Sequence, residues 1–295
     1  MRKTVLTLMA CIAAVTVAQT VTVTQHSRLL EGVEGPAYYP VLSPDGNRLL
    51  YTTAQTPGLK LYDFNDDVAV RVSDADGVGH NAFFGADGKV YYVTAERQSN
   101  NLIYRTGHAY DIATRKSEVV LEPQHGAVAL VRATRGAAMR AKAQSFSTQA
   151  VGTAVYTEGS TVHVIVNGND RAFSPVESWA GYLWASLSPN GRRVAFFAAG
   201  SGIVVMDLEG NVLAQMGRYE MPSWLNDDYI VAQNTKDDGH QFTSSQIMLL
   251  KADGSFKHEL TRPTSMAMHP TAAAGKVVYS TIDGLLHVMK IDINQ

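Results

Sequence analysis

The tight turn Ser188-Pro189-Asn190-Gly191, followed by the apolar run Val194-Ala195-Phe196-Phe197, recurs along the chain and constrains its fold more than any other feature. Proline presets φ at the first turn position, Asn or Asp bonds its own backbone, and Gly supplies a positive φ, so each copy ends one strand and starts another. Ser43-Pro44-Asp45-Gly46 ahead of Leu49-Leu50-Tyr51 is the nearest copy, and Gly85-Ala86-Asp87-Gly88 ahead of Val90-Tyr91-Tyr92-Val93 is the next. Weaker echoes are Asn226-Asp227-Asp228 ahead of Tyr229-Ile230-Val231, and Met268-His269-Pro270, which resolves through Gly275 into Lys276-Val277-Val278-Tyr279. These apolar runs do not alternate strictly, so both of their faces are covered.

Between the turns the sequence divides into pieces of four to six residues separated by Gly, Pro, Asn or Asp. In the first repeat these are Tyr38 to Leu42, Arg48 to Thr53, Leu59 to Asp63 and Val68 to Val72. Four short strands in a repeat of about 40–50 residues are the signature of a propeller blade. The expected fold is all-β: a six-bladed β-propeller of four-stranded antiparallel blades at about residues 38–73, 80–123, 126–176, 182–217, 221–262 and 265–295. The third repeat has no Ser-Pro-Asp-Gly copy, and its first part, Arg132 to Lys142, reads as an extended loop or a short helix. The sixth stops at its third strand. An N-terminal strand at about residues 21–31 is expected to close the ring as the missing fourth, which removes the edge an open sheet would expose.

With Ser-Pro-Asp-Gly or its variants opening apolar strands, and Leu61-Tyr62-Asp63 and Val205-Met206-Asp207-Leu208 ending third strands, the chain resembles the TolB-like propeller family. Arg71-Val72-Ser73 and His258-Glu259-Leu260-Thr261-Arg262-Pro263 are similar to that family's outer strands. The resemblance spans roughly residues 28–295 and implies a six-bladed exported propeller that serves as a protein-binding scaffold. The N-terminal α/β domain of TolB has no counterpart in the expected layout. Similar blades precede hydrolase domains and occur in polysaccharide lyases, but no Gly-x-Ser-x-Gly elbow is present, and Gly200-Ser201-Gly202 reads as a loop.

Residues 1–18 combine Arg2-Lys3, an apolar core and a small residue at the end, the pattern of a secretory signal peptide, which leaves residues 19–295 as one propeller domain. The apolar run is shorter than the roughly 20 residues of a comfortable membrane span. Cys11, the only cysteine, sits in a lipobox-like Leu8-Met9-Ala10-Cys11. The apolar residues continuing past it favour a cysteine within the cleaved peptide over a lipid anchor. Without Arg2 and Lys3 the balance is 23 basic to 27 acidic side chains, which is no footprint for nucleic acid. The expected location is the periplasm or cell envelope, and the expected state is a monomer.

Loops joining a fourth strand to the next first strand, and a second to a third, gather at one mouth of a propeller's channel. That places Glu31, Glu34, Tyr38, His80, Asn81, Arg97, Trp179, Tyr182, Tyr219, Lys236, His240 and His269 at the mouth, where a ligand is bound by variable loops on a rigid frame. Trp179 and Tyr182, with Trp184, read as an aromatic platform or as core fillers, whereas Tyr39 and Trp224 read as packing. His80, His240 and His269 come from different repeats with no short ligand spacing, so no metal or other cofactor is expected. Arg132, Arg135, Arg140 and Lys142 form a basic segment that reads as an anionic-partner site or a solvated loop. The leading functional expectation is an exported, non-catalytic scaffold that binds a protein or peptide at the channel mouth. A glycan binder or polysaccharide lyase acting at the same face is the alternative, and catalysis is not the favoured reading.

Overall fold

The computed structural model describes residues 19–31, 35–53, 58–75, 78–79, 82–126, 128–132, 137–141 and 152–294. Strand β1 (Thr20–Arg28) stands first. The first blade is β2 (Ala37–Leu42), β3 (Arg48–Thr53), β4 (Leu59–Asp63) and β5 (Val68–Ser73). The second is β6 (Phe83–Phe84), β7 (Val90–Arg97), β8 (Ile103–Asp111) and β9 (Lys116–His125). A hairpin of β10 (Val128–Arg132) and β11 (Ala137–Ala141) precedes a three-stranded sheet of β12 (Thr153–Glu158), β13 (Thr161–Val166) and β14 (Asn169–Phe173). The fourth blade is β15 (Tyr182–Leu187), β16 (Arg193–Ala198), β17 (Gly202–Asp207) and β18 (Val212–Gln215). The fifth is β19 (Glu220–Trp224), β20 (Tyr229–Asp237), β21 (Phe242–Lys251) and β22 (Lys257–Glu259), and the sixth contains β23 (Ala267–Ala273), β24 (Lys276–Thr281) and β25 (Leu286–Asn294). Every ladder is antiparallel, and the only helix among the described residues is a short 3-10 turn, Pro263–Ser265.

The molecule is a six-bladed all-β propeller. Five blades are four-stranded, and the third departs from that pattern. Within 132–142, read from sequence as an extended loop or a short helix, residue 132 ends β10 and residues 137–141 form β11, so this stretch belongs to a hairpin beside the three-stranded sheet. β10 approaches both β7 and β12, so the hairpin occupies the sector between the second and third blades. The absence of a Ser-Pro-Asp-Gly turn there removes the device that holds first and second strands together elsewhere.

That device is explicit in two copies. Ser43 Oγ donates to Asp45 Oδ1 (2.5 Å) and accepts from Arg48 N (2.8 Å), while Gly46 N reaches Ser43 O. Ser188 repeats this with Asn190 Oδ1 (2.8 Å) and Arg193 N (3.0 Å), and both glycines have φ of 70°. The strands that follow are buried on both faces: Leu49, Leu50 and Tyr51, then Val194, Ala195 and Phe196, are all 0% exposed. The core is accordingly a series of layers between blades. Tyr229, Val231, Leu249, Val277, Tyr279 and Met289 fill the gap between blades five and six, and Val155, Val164, Val194, Phe196 and Met206 that between three and four.

Side-chain hydroxyls also tie successive blades at one recurring position. Ser223 Oγ accepts from Ala272 N (3.0 Å), and one blade further Thr271 Oγ1 accepts from Leu42 N (3.0 Å). Thr271 is 7% exposed, so its isosteric replacement by Val leaves the Leu42 N–H without its partner. Thr271→Val is expected to cost about 1–3 kcal/mol in urea unfolding, with Thr271→Ser close to wild type. Equal stability of all three proteins would show that this tie contributes nothing.

Closure follows the sequence-based expectation, shifted slightly toward the N-terminus. β1 lies outside β25 in the order β1-β25-β24-β23, with Thr20 opposite Asn294 and Arg28 opposite His287. On this seam His26 Nε2 lies 2.9 Å from the Tyr279 hydroxyl, and the His287 ring stacks on Tyr279 at 5.2 Å. Burial, then the His26 ring and Arg28, hold the His287 imidazole below its ordinary value of 6.5, against a smaller opposing pull from Asp283. Burial alone does the same to His108. Below pH 6.5 the unfolded chain therefore takes up protons that the folded chain resists, so stability present above that pH is lost as pH falls. The melting temperature is expected to drop between pH 7.5 and 5.5, and His287→Gln combined with His108→Gln should flatten the slope. An unchanged slope in the double variant would refute this assignment.

Candidate functional site

Alternating strand direction sends the first-to-second and third-to-fourth turns to one face. It sends the second-to-third and blade-to-blade connections to the other. The two faces differ in character. Among the described residues, none of the tight turns of the first face itself carries an exposed large apolar side chain, although Val68, Val212 and Leu213 are exposed where outer strands leave them. The second face carries Leu102, Trp179, Leu183, Trp184, Phe242 and Ile282, all more than 40% exposed. Single exposed apolar residues are ordinary; here several of them lie toward the same face.

The first strands β15, β19, β23 and β2 approach one another in succession and so line the axis. Each contains the same irregularity: a register shift beside a non-glycine residue in the left-handed region. These residues are Trp184 (φ 55°), Met221 (φ 53°), His269 (φ 53°) and Tyr39 (φ 52°). Such a conformation costs about 1 kcal/mol per residue, and bulges re-aim side chains. Four residues on consecutive blades thus form a collar at one level, and the rings of Tyr39 and His269 meet at 4.6 Å. Beneath it, His269 N donates to Gln233 Oε1 (2.9 Å), Gln233 Nε2 donates to Thr235 Oγ1 (2.6 Å), and His269 Nδ1 lies 2.9 Å from Ser280 Oγ. Glu220, opposite Gln233 in the ladder, is pushed above the usual carboxylate value by burial and by the charge of Asp237.

Two hairpins stand above this level. β7 and β8 have 8 and 9 residues, and β20 and β21 have 9 and 10, against 6 in β3 and β16. The extra residues project them roughly 7–10 Å further. They belong to blades two and five, which lie across the ring from each other. Arg97 ends one arm, with its guanidinium on the Asn101 carbonyl at 3.0 Å, and exposed His240 sits at the tip of the other.

The loop 174–181 forms the best-defined part of the mouth. It borders an open trough of about 800 Å³ with Ala199, Gly200 and Ser201. Trp179 is 84% exposed. Tyr182, read from sequence as a platform ring or a core filler, is a core residue. Its ring is 2% exposed and packs on Phe196, and its hydroxyl bonds both the N–H and the carbonyl of Val176. Trp184, two residues on, is 42% exposed. In a regular strand both would face one side; the bulge between Leu183 and Ser186 separates them. Tyr38 is half-buried against the turn at Gly284. The collar residues Tyr39 and Met221 were missed as site residues. Their one signal was a large side chain just before proline, in Tyr39-Pro40, Met221-Pro222 and His269-Pro270.

His80, Asn81, Arg135 and Lys142 lie outside the described residues, as does Cys11; Arg132 and Arg140 belong to the β10–β11 hairpin. Among the described residues no three His, Cys, Asp or Glu side chains stand together as a metal site, and no helix is long and apolar enough to cross a membrane.

No protein-family model matches the chain, and no curated protein matches its sequence. Solved structures do. TolB of Acinetobacter baumannii superposes with a TM-score of 0.50 at 18% identity over 76% of this chain. The fold is that of a TolB-like propeller. This chain spans about half of the A. baumannii protein, 53% of its length. An oligogalacturonate lyase of Vibrio parahaemolyticus matches at TM-score 0.55 and 12% identity, over 93% of this chain and 98% of its own. The Cps50 (Swd1) propeller domain of Myceliophteria thermophila matches at 0.62 and 8%, over 92% and 99%. The likeness thus reaches proteins of different names, of which only the lyase names an activity, and the frame alone does not assign one.

Proposed function

We propose that this chain is an exported, non-catalytic propeller scaffold that binds a protein or peptide partner at the mouth bearing the collar. One observation carries the reading. The exposed large apolar side chains Leu102, Trp179, Phe242 and Ile282 stand at the connections of one face, with Leu183 and Trp184 just inside β15, while the described turns of the other carry none and only Val68, Val212 and Leu213 open the outer strands beside them. Interface cores are enriched in aromatic residues and in methionine, and Met221, Tyr39 and the two tryptophans supply that chemistry at the collar and its rim. The arms of blades two and five bracket the surface and suit a partner seated between them.

Export follows from the signal-like residues 1–18, with residues 19–295 as the mature propeller domain, and the likeness to TolB supports a periplasmic setting. The basic residues Arg132, Arg135, Arg140 and Lys142 provide a second contact for an acidic partner surface. Capture from a native envelope extract by immobilised residues 19–295 tests the main reading. A protein should be retained by wild type and by Glu209→Lys on the opposite face, and lost from Leu102→Asp/Phe242→Asp. Retention by the double variant, or no protein retained at all, would overturn it.

A further inference from the structure

The turn that organises the blades also guards them chemically, and one turn lacks the guard. Where Asp or Asn precedes Gly, the glycine nitrogen can attack the side-chain carbonyl and close a five-membered succinimide ring, because no Cβ hinders the approach. The attack needs that nitrogen unbonded and the side chain free to turn. At Asn190-Gly191 neither condition is met: Gly191 N donates to Ser188 O (2.8 Å), and Asn190 Oδ1 accepts from Ser188 Oγ (2.8 Å) and Arg192 N (3.0 Å). Behind Asp45, Asp87, Asp253 and Asp283, the nitrogens of Gly46, Gly88, Gly254 and Gly284 are engaged in the same way by a carbonyl of their own turn, and Gly239 N donates to Asp237 Oδ1. Asn167-Gly168 stands apart from all of these. It is the two-residue turn between β13 and β14, with Val166 opposite Asn169, and both of its residues are left-handed (φ 49° and 84°) and exposed. Asn167 N donates to Gly152 O, but among the described residues the Gly168 nitrogen and the Asn167 side-chain amide make no hydrogen bond. No atom lies within 4 Å of where a Gly168 Cβ would stand, so no neighbour crowds that position.

We propose that Asn167 is a site of spontaneous deamidation in the folded protein and that the turn at Asn190 is protected from it. The Gly168 nitrogen bonds to Asn167 Cγ as the Cγ–Nδ2 bond breaks, and ammonia leaves with the proton that the Gly168 amide gives up. Water then opens the ring at either carbonyl, giving aspartate or isoaspartate. No other reactant is needed. Isoaspartate adds a methylene to the main chain, which a two-residue turn matched to the twist of its strands cannot absorb. The Val166–Asn169 pair is the first rung lost. With it goes the placing of Asp170, which lies 3.1 Å from His163 Nδ1 and accepts from the Tyr156 hydroxyl at 3.0 Å. β14 is the outer strand of a three-stranded sheet, so its loosening bares β13 as an edge. The turn lies on the face opposite the collar, and the proposal is independent of the mouth reading.

The test is peptide mapping by mass spectrometry of the mature chain held for days in warm, mildly alkaline buffer, once folded and once in urea. Each guarding bond must break before the ring can close, so in the folded protein Asn167 should convert about tenfold or more faster than Asn190, with isoaspartate among its products. In urea both Asn-Gly pairs lose their surroundings, and the two rates should converge. Equal rates in the folded protein, faster conversion at Asn190, or no conversion at Asn167 would each overturn the proposal. So would a gap that persists in urea, which would trace it to the flanking sequence and not to the hydrogen bonds. Hydrogen exchange on the separated isoaspartate form is the second readout. The amides of β14 should exchange faster than in fresh protein while those of β16 and β17 keep their rates, and unchanged exchange in β14 would refute the loss of the rung.

Discussion

Deleting residues 20–28 is expected to lower the melting temperature by about 10 °C or more and to make the propeller self-associate. β1 contributes an eight-residue register to β25, from Thr20 opposite Asn294 to Arg28 opposite His287. Each ladder hydrogen bond contributes about 1 kcal/mol net, so losing about half of that register already removes some 4 kcal/mol. For a domain of this size each kcal/mol moves the midpoint by about 2–4 °C. The packing of Val21 on the layer between blades five and six goes as well. What remains is β25 as a bare edge, a template for another chain. Calorimetry and light scattering read the two effects. A midpoint within a degree or two of wild type, with no association, would mean that the ring is held by its inter-blade layers alone.

Gly202→Ala is expected to be the most damaging single substitution, at about 3–5 kcal/mol, the exceptional tail of point mutants. An ideal Cβ at this position would lie 1.7 Å from Gly217 O and 2.9 Å from Arg218 N. Both obstacles are backbone. Gly217 O also accepts from Ile203 N, so it cannot retreat without breaking the start of β17. The φ of 83° adds left-handed strain for any residue with a Cβ. Gly217→Ala, where nothing lies within 4 Å of the added carbon, is the matched control and should lose only the conformational part. Chemical denaturation of both variants decides the matter, and equal losses would refute the steric argument.

These two sites also show what the sequence makes legible. The blades could be read because each repeated turn is a local device, and because the strands after it are apolar on both faces wherever they are buried between blades. Phe196 and Leu50 announce themselves in this way. The closing strand could be read from a shortage, since the last repeat lacks its outer member. The bulges could not. A register shift inserts a residue without changing composition, and only its geometry shows that Tyr182 turns inward while Trp184 turns out. The collar of Tyr39, Trp184, Met221 and His269 therefore stayed hidden behind an apparently regular alternation, although His269 had been assigned to the mouth on its position in the loop order. Trp179 was half visible: the tryptophan and its loop could be placed, but its approach to Gly200 joins residues 21 positions apart.

Because Thr20 and Asn294 are ladder partners, the path of the backbone is nearly a circle with one cut in it. The position of that cut is then a free choice in the physics of the ring. A short linker joining the two partners, with new ends opened in the exposed turn at Glu209, would keep every inter-blade layer and move the seam to the third and fourth strands of blade four. The order in which blades leave the ribosome would change while the finished ring would not.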